Sequence, residues 1–122
     1  AQLSILKTLI ENPNLIDNVL SVMDINMLGG YAELFTALLN GENDHPGLVG
    51  LSVDDSLEVM SEDELNNVLR NFLIKHYDLK LKSIASSQQI PFEKKSFLIR
   101  KIRTDIIPRL KKGELVAYEP GL

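Results

Sequence analysis

One long helix constrains the fold of this 122-residue chain more than any other feature of its sequence. Ser61 is followed three residues later by Glu64, which is the capping-box pattern at the start of a helix. The three acids that follow Ser61 also complement the positive end of the helix dipole. Neither proline nor glycine then occurs before Pro91. The pattern therefore predicts one helix over about residues 62–86, roughly 37 Å long.

This helix needs two packing partners, because its apolar residues change side along its length. At about 100° per residue, one face is predicted to hold Leu65, Val68, Leu69, Phe72, His76 and Leu79. The roughly opposite face is predicted to hold Ile74, Tyr77, Leu81, Ile84 and Ala85. A compact domain of this size has a diameter of roughly 35 Å, so the helix spans it. We therefore expect the first half to pack in an N-terminal bundle and the second half to pack against the final helix.

The residues before the long helix are typical of a bundle of shorter helices. Apolar residues at three-and-four spacing predict helices over about 3–10, 13–22 and 31–39. Residues 41–60 are less regular, and there Pro46 is expected to open a short helix through Leu51. Asn12-Pro13 separates the first two, and Gly41 suits the left-handed residue after the third. Residues 53–60 favour a further short helical piece, with an extended stretch as the alternative. No strand is predicted, so the expected fold class is all-α.

A last helix is predicted to start at Pro91 and to reach Lys112, just before Gly113. Pro108 lies inside this helix and is expected to bend it or to end its regular hydrogen bonding early. Its broad apolar stripe suits pairing with the long helix and contains Phe92, Leu98, Ile99, Ile102, Ile106 and Leu110. The predicted organisation is a helical bundle over 1–73, a helical hairpin over 74–113 that shares the long helix, and a tail over 114–122.

Charge is divided unequally along the chain. Residues 1–64 contain Lys7 as their one base and carry a net charge of −11, whereas residues 65–122 carry +7. Two interpretations stay open: parts with different partners, or solvated surfaces that attract each other within one fold. The apolar fraction of 44% and the charged fraction of 25% are ordinary for a globular protein. With no apolar run of membrane length and no signal-peptide pattern, the sequence predicts a cytoplasmic protein.

The sequence offers no catalytic or metal site. It contains no cysteine, which excludes disulfides, thiolate zinc sites and thiol catalysis. No HExxH pair, glycine-rich phosphate loop or GxSxG elbow occurs. His45 in a polar loop and His76 on an apolar face are expected to be structural, and Asp54, Asp55 and Glu58 lack EF-hand spacing. We therefore expect no catalytic residue, no metal and no cofactor.

Phe97 is the candidate interaction residue. It lies far from the centre of the apolar stripe, on the side shared by Lys94, Lys101 and Thr104. We interpret an aromatic ring among cations as a contact surface; a third element that covers it, or an ordinary surface aromatic, are the alternatives. The C-terminal cations also raise direct nucleic-acid binding as an alternative. Because they are spread around the helix with few aromatics, we expect that binding to be weak or absent.

The architecture and several segments resemble the C-terminal helicase-interacting domain of bacterial DNA primase. The stretch from Leu6 to Leu15, with its Asn12-Pro13 break, looks like the first helix of that domain. Leu34-Phe35 with Leu38-Leu39 is similar to a later bundle helix, and the hairpin from about Tyr77 to Lys112 corresponds to the terminal subdomain. The N-terminal domain of the replicative helicase has a similar bundle and is the alternative; a chain that ends just after the hairpin favours the primase.

This resemblance implies a protein-interaction domain that docks on the N-terminal domains of the replicative helicase, brings primase to the fork and couples helicase activity to RNA primer synthesis. The chain would be a non-catalytic part of a primer-synthesising transferase, and its start at Ala1 without Met fits that expectation. The expected contact residues are Phe97, Lys94, Lys101 and Thr104, with Ile90 and Phe92 near the hairpin tip. Self-association through the hairpin when the helicase is missing, and an adaptor role in another machine, are further alternatives.

Overall fold

The computed structural model describes residues 2–122, and within that range the chain is helical with no strand. Its α-helices are α1 (Gln2–Glu11), α2 (Ile16–Leu20), α3 (Ala32–Leu39), α4 (Pro46–Val53), α5 (Glu62–Ser86), α6 (Phe92–Lys101) and α7 (Ile107–Lys111). Two 3-10 helices cover Pro13–Leu15 and Ile25–Tyr31, and a π-helical turn covers Ile102–Ile106. The predicted all-α class is confirmed, and Ala1 lies outside the described residues.

The chain forms two compact units that meet within α5. Unit 1 is Ala1–Asn66 and unit 2 is Asn67–Leu122. The sequence boundary between residues 73 and 74, and a separate tail over 114–122, stay predictions. Net charge follows the units, since unit 1 carries −11 and unit 2 carries +7.

Unit 1 is a bundle in which α1 packs against α3 and α4. Its fully buried side chains include Ile5, Leu6, Leu9, Val19, Leu28, Phe35 and Leu65. Helix α3 ends as the sequence predicts: Gly41 has φ +71°, and the amides of Gly41 and Glu42 donate to the carbonyls of Leu38 and Ala37. These are the two bonds of the Schellman motif, which requires a left-handed residue at the glycine position.

The short helix predicted over residues 53–60 is wrong. Beyond Val53 the segment is irregular, because side chains of α1 form hydrogen bonds with its backbone groups. The Lys7 ammonium donates to the carbonyl of Asp54, and the Met60 amide donates to Thr8 Oγ1 over 3.0 Å. Both Lys7 and Thr8 are buried, so these bonds fix the segment on α1 and compete with helix formation.

Helix α5 has the predicted bounds, and its cap differs from the prediction in one bond. The Glu64 amide donates to Ser61 Oγ over 3.2 Å, as a capping box requires. The Glu64 carboxylate accepts from the Ser61 hydroxyl over 3.0 Å, and not from the Ser61 amide. The three acids predicted to complement the helix dipole all lie in the first turn.

The two opposite faces predicted for α5 are wrong in part. Its most deeply buried residues are Leu65, Leu69, Leu73, Tyr77 and Ile84. Steps of four residues rotate the stripe by about 40° each, so it drifts around the helix and does not reverse. Leu79, assigned to the first face, is 66% exposed, and Ala85, assigned to the second, is exposed.

Unit 2 is a helical hairpin in which regular α-helical bonding ends at Lys101 and resumes at Ile107. Pro108 has no amide hydrogen and crowds the preceding turn, and the chain accommodates it by widening that turn. The Ile107 amide accordingly donates to the carbonyl of Ile102, five residues earlier. This confirms the prediction that Pro108 interrupts the last helix.

The C-terminal residues are fixed on unit 2. Gly113 has φ +99°, and its amide and that of Glu114 donate to the carbonyls of Leu110 and Arg109, which is a second Schellman motif. Beyond it, Val116 and Leu122 are buried. The buried side chains of α6, the π-helical turn and α7 are Leu98, Ile102, Ile106, Ile107 and Leu110.

Candidate protein-interaction surface

The turn that joins α5 to α6 is fixed by a lysine. The Lys95 ammonium donates to the carbonyls of Ser87, over 2.6 Å, and Ala85, over 3.4 Å, near the C-terminal end of α5. A cation at this end also complements the helix dipole. Ile90 and Phe92 lie at this turn: Ile90 is half-buried, whereas Phe92 opens α6 and is 80% exposed. The predicted place of Phe92 on the apolar stripe that pairs with the long helix is therefore wrong, because Phe92 lies at the start of α6 with its ring in solvent.

Phe97 projects from the middle of α6 into solvent. It is 65% exposed, whereas the adjacent Leu98 is 6% exposed and Ile102 is fully buried. Leu98 and Ile102 are four residues apart and form the inner face of this helix. The fold therefore stabilises α6 through its inner face and leaves Phe97 with no packing role of comparable size.

Lys94, Lys101 and Thr104 lie on the side of Phe97, and together we call these four residues the Phe97 surface. Lys94 and Lys101 are three residues before and four residues after Phe97, which places them beside its ring on the helix. Lys94 is exposed, and Thr104 is exposed with its hydroxyl bonded to the carbonyl of Arg100 over 2.6 Å. The surface therefore combines an apolar ring with the ammonium group of Lys94, which forms no ion pair with the described residues 2–122.

Lys101 differs from Lys94 because it is already part of an ion-pair network. Its ammonium lies 2.8 Å from Asp105 and 3.8 Å from Glu119, and Asp105 lies 3.6 Å from Arg109. The hydrogen bond between Lys101 and Asp105 lowers the pKa of Asp105 and raises the pKa of Lys101. Sequence reasoning missed these pairs, although the spacing of four residues signalled both Lys101–Asp105 and Asp105–Arg109.

A cationic groove of about 590 Å³ lies in unit 2, and we call it the unit-2 groove. It is lined by Asp78, Leu81, Arg103, Ile107, Pro108, Lys111 and Lys112. Pro108 follows Thr104 by about one helical turn. The cations that line the groove outnumber its one acid, and the apolar side chains that line it come from α5 and α7. Such a groove suits an acidic protein surface that also offers an apolar side chain.

Leu79 is an exposed apolar residue of unit 2 that sequence reasoning missed. It lies on α5, seven residues before the end of the helix. Its 66% exposure contradicts its predicted place on a buried stripe. A signal was available in the sequence, since Asp78 and Lys80 flank it.

The described residues give both histidines structural surroundings. His45 Nδ1 accepts from the Gly47 amide over 3.1 Å and caps α4. His76 is half-buried on α5, and burial followed by the charge of Lys80 lowers its pKa. Across residues 2–122 no group of acids and histidines is arranged to hold a metal ion. None of the described helices combines the length and the apolar character that crossing a lipid bilayer demands.

The described residues form an all-α fold, with a helical bundle in unit 1 and a helical hairpin in unit 2. The chain is similar to the solved C-terminal domain of DnaG primase from Helicobacter pylori, with a TM-score of 0.86 and 28% sequence identity over 96% of this chain and 93% of that one. No curated protein matches the sequence significantly. The family model of the DnaG-primase C-terminal, helicase-binding domain matches residues 1–117, so the chain belongs to that family and the resemblance seen in the sequence is confirmed.

Proposed function

We propose that this domain binds the N-terminal domains of the replicative helicase through the Phe97 surface. The observation that carries the proposal is the 65% exposure of Phe97 beside an exposed Lys94, in a member of a helicase-binding family. An aromatic side chain that desolvates against a partner is the type of residue that dominates binding energy. By binding this domain, the helicase would recruit primase to the fork and couple unwinding to RNA primer synthesis in the cytoplasm.

The apolar contribution to binding comes from three exposed side chains of unit 2. Phe92, Phe97 and Leu79 are each at least 65% exposed. Burial of one such side chain contributes about 1.5–3 kcal/mol, so one or two of them account for a large part of a specific interface. Phe97 is the strongest anchor of the three because it lies within the helix, whereas Phe92 opens it.

The electrostatic contribution comes from the cations of unit 2. With +7 on this unit and the cationic groove beside Pro108, we expect attraction to an acidic surface and a fast encounter at low salt. Lys101 and Arg109 contribute less, because Asp105, Glu114 and Glu119 already neutralise them in part. Lys94 and Lys111 are both exposed and are the better candidates for steering.

The test is a calorimetric titration of this domain into the N-terminal domains of the cognate replicative helicase, at low and at physiological salt. The proposal predicts a complex in both conditions, with weaker binding at the higher salt concentration. A parallel titration with single-stranded DNA at physiological salt checks the nucleic-acid alternative. Absence of a helicase complex at low salt, or DNA binding that persists where helicase binding does not, contradicts the proposal.

A further inference from the structure

Unit 1 carries an open apolar groove that the helicase-binding surface does not use. The groove has a volume of about 450 Å³ and is lined on its apolar side by Ile10, Pro13, Ile16, Leu38, Leu48 and Val49. Val49 is 45% exposed although it belongs to a helix whose Leu48 is buried. A concave surface of this size accommodates one large side chain together with its neighbours. We call it the unit-1 groove.

The unit-1 groove lies in a strongly acidic unit, which carries a net charge of −11. Glu11, Asp17, Glu42 and Asp44 are next to lining residues in the sequence, are exposed and form no ion pair among residues 2–122. The one base of unit 1, Lys7, is buried with its ammonium on the Asp54 carbonyl. An occupant of the groove must therefore bring an apolar side chain flanked by cations and must carry little negative charge.

The Phe97 surface has this chemistry. Phe97 is exposed, Lys94 precedes it by three residues, and Arg100 follows it by three residues and is exposed. Within α6 there are four cations and one acid. The chain thus displays on its surface both an apolar groove in an acidic unit and a cation-flanked aromatic side chain of suitable size.

We propose that the Phe97 surface of one copy docks into the unit-1 groove of a second copy. The contact is heterologous, because it joins two different surfaces, and it extends to further copies unless the geometry closes it into a ring. It also occupies Phe97, so self-association and helicase binding exclude each other at that residue. A free domain at high concentration is then self-associated, and the helicase dissociates it.

The first test is sedimentation velocity of the whole domain from micromolar to millimolar concentration, at low and high salt. The proposal predicts reversible, concentration-dependent association that weakens with salt. Val49→Asp places a carboxylate in the groove and is expected to weaken association at least tenfold, and so is Phe97→Ala. Val53→Asp is the matched control: Val53 lies on the same helix, is 70% exposed and does not line the groove, so this variant is expected to associate as the wild type does.

The second test mixes the two defective variants. Val49→Asp retains an intact Phe97, and Phe97→Ala retains an intact groove, so a heterologous contact predicts that each variant alone is monomeric and that their mixture forms a mixed dimer. Circular dichroism checks that each variant is folded; Ser52→Trp, which fills the groove from an exposed position, replaces Val49→Asp if that variant is not.

Three results overturn the proposal. They are a monomeric wild type at millimolar concentration, self-association that Val49→Asp leaves intact, and a mixture of variants that stays monomeric. The second of these results places the association outside the unit-1 groove. Helicase binding is scored separately: Val49→Asp is expected to bind the helicase as the wild type does, so the failure of one proposal does not decide the other.

Discussion

Arg109 and Glu114 close the end of the last helix with two parallel hydrogen bonds: Arg109 Nε donates to Glu114 Oε2 over 2.5 Å, and Nη2 donates to Oε1 over 2.9 Å. The backbone joins the same residues, since the Glu114 amide donates to the Arg109 carbonyl over 3.0 Å. The side-chain bonds hold the pKa of Glu114 below its ordinary range.

Arg109→Met is expected to return the pKa of Glu114 to its ordinary range. Because the folded pKa is lowered, the pair contributes stability above the ordinary carboxyl range and loses it as the pH falls through the lowered pKa. NMR titration of the Glu114 side chain measures the shift directly. Arg103→Met is the control, since Arg103 is an exposed cation outside the bonded pair. An unchanged Glu114 pKa in Arg109→Met contradicts this account.

Thr8→Val is expected to lower the free energy of unfolding by about 1–3 kcal/mol. Thr8 is fully buried, and its hydroxyl accepts from the Met60 amide and donates to the Ser4 carbonyl over 2.7 Å. Valine keeps the shape and leaves the Met60 amide without its partner. Urea denaturation measures the loss.

Thr36→Val is the matched control for that change. The Thr36 hydroxyl donates to the Ala32 carbonyl over 2.9 Å on an exposed face of α3. When valine removes this hydroxyl, water can donate to the carbonyl in its place. Its expected effect is within about 0.5 kcal/mol. Equal effects of the two substitutions would show that the bond to Met60 does not hold residues 54–60 in place.

Gly113→Ala and Gly50→Ala are expected to change stability in opposite directions. Gly113 has φ +99°, which a side chain disfavours although a Cβ there meets nothing within 4 Å, so alanine destabilises by about 1 kcal/mol. Gly50 lies inside α4 with equally open space and no left-handed φ, so alanine stabilises by about 0.5–1 kcal/mol. Thermal and urea denaturation measure both changes in stability. If the two substitutions change stability in the same direction, the backbone argument is refuted.

His76 is expected to make the fold less stable under mildly acidic conditions. Its Nε2 is buried with no hydrogen-bond partner among residues 2–122, and burial followed by the charge of Lys80 lowers its pKa. The unfolded chain therefore binds a proton more readily, and stability falls as the pH drops from the ordinary histidine range through the lowered pKa. Unfolding of the wild type and of His76→Leu across this range measures it; identical pH dependence of the two proteins contradicts the assignment.

Local signals in the sequence were sufficient to predict the long helix and the residues at which helices end. Ser61 and the absence of proline and glycine before Pro91 act within one helix, so both bounds of α5 were predictable. Residues 54–60 were not, because Lys7 and Thr8 fix them from about fifty residues away along the chain.

The exposure of Phe97 followed from its helical phase and its flanking lysines, whereas the surroundings of Lys101 did not. Glu119 lies in an irregular segment, and no periodic pattern indicates that it approaches α6. The burial of α5 was misjudged for a related reason. Its stripe drifts with each step of four residues, so sorting residues onto two fixed faces placed Leu79 inside.

The most direct test of the central claim compares Phe97→Ala with its neighbour Leu98→Ala, measuring helicase affinity by calorimetry and the free energy of unfolding by urea. Phe97→Ala is predicted to weaken helicase binding at least tenfold, about 1.4 kcal/mol, and to change stability by less than about 0.5 kcal/mol. Leu98→Ala is predicted to lose about 2–5 kcal/mol of stability, since Leu98 is 6% exposed. Wild-type affinity in Phe97→Ala, or a loss of stability equal to that of Leu98→Ala, contradicts the account.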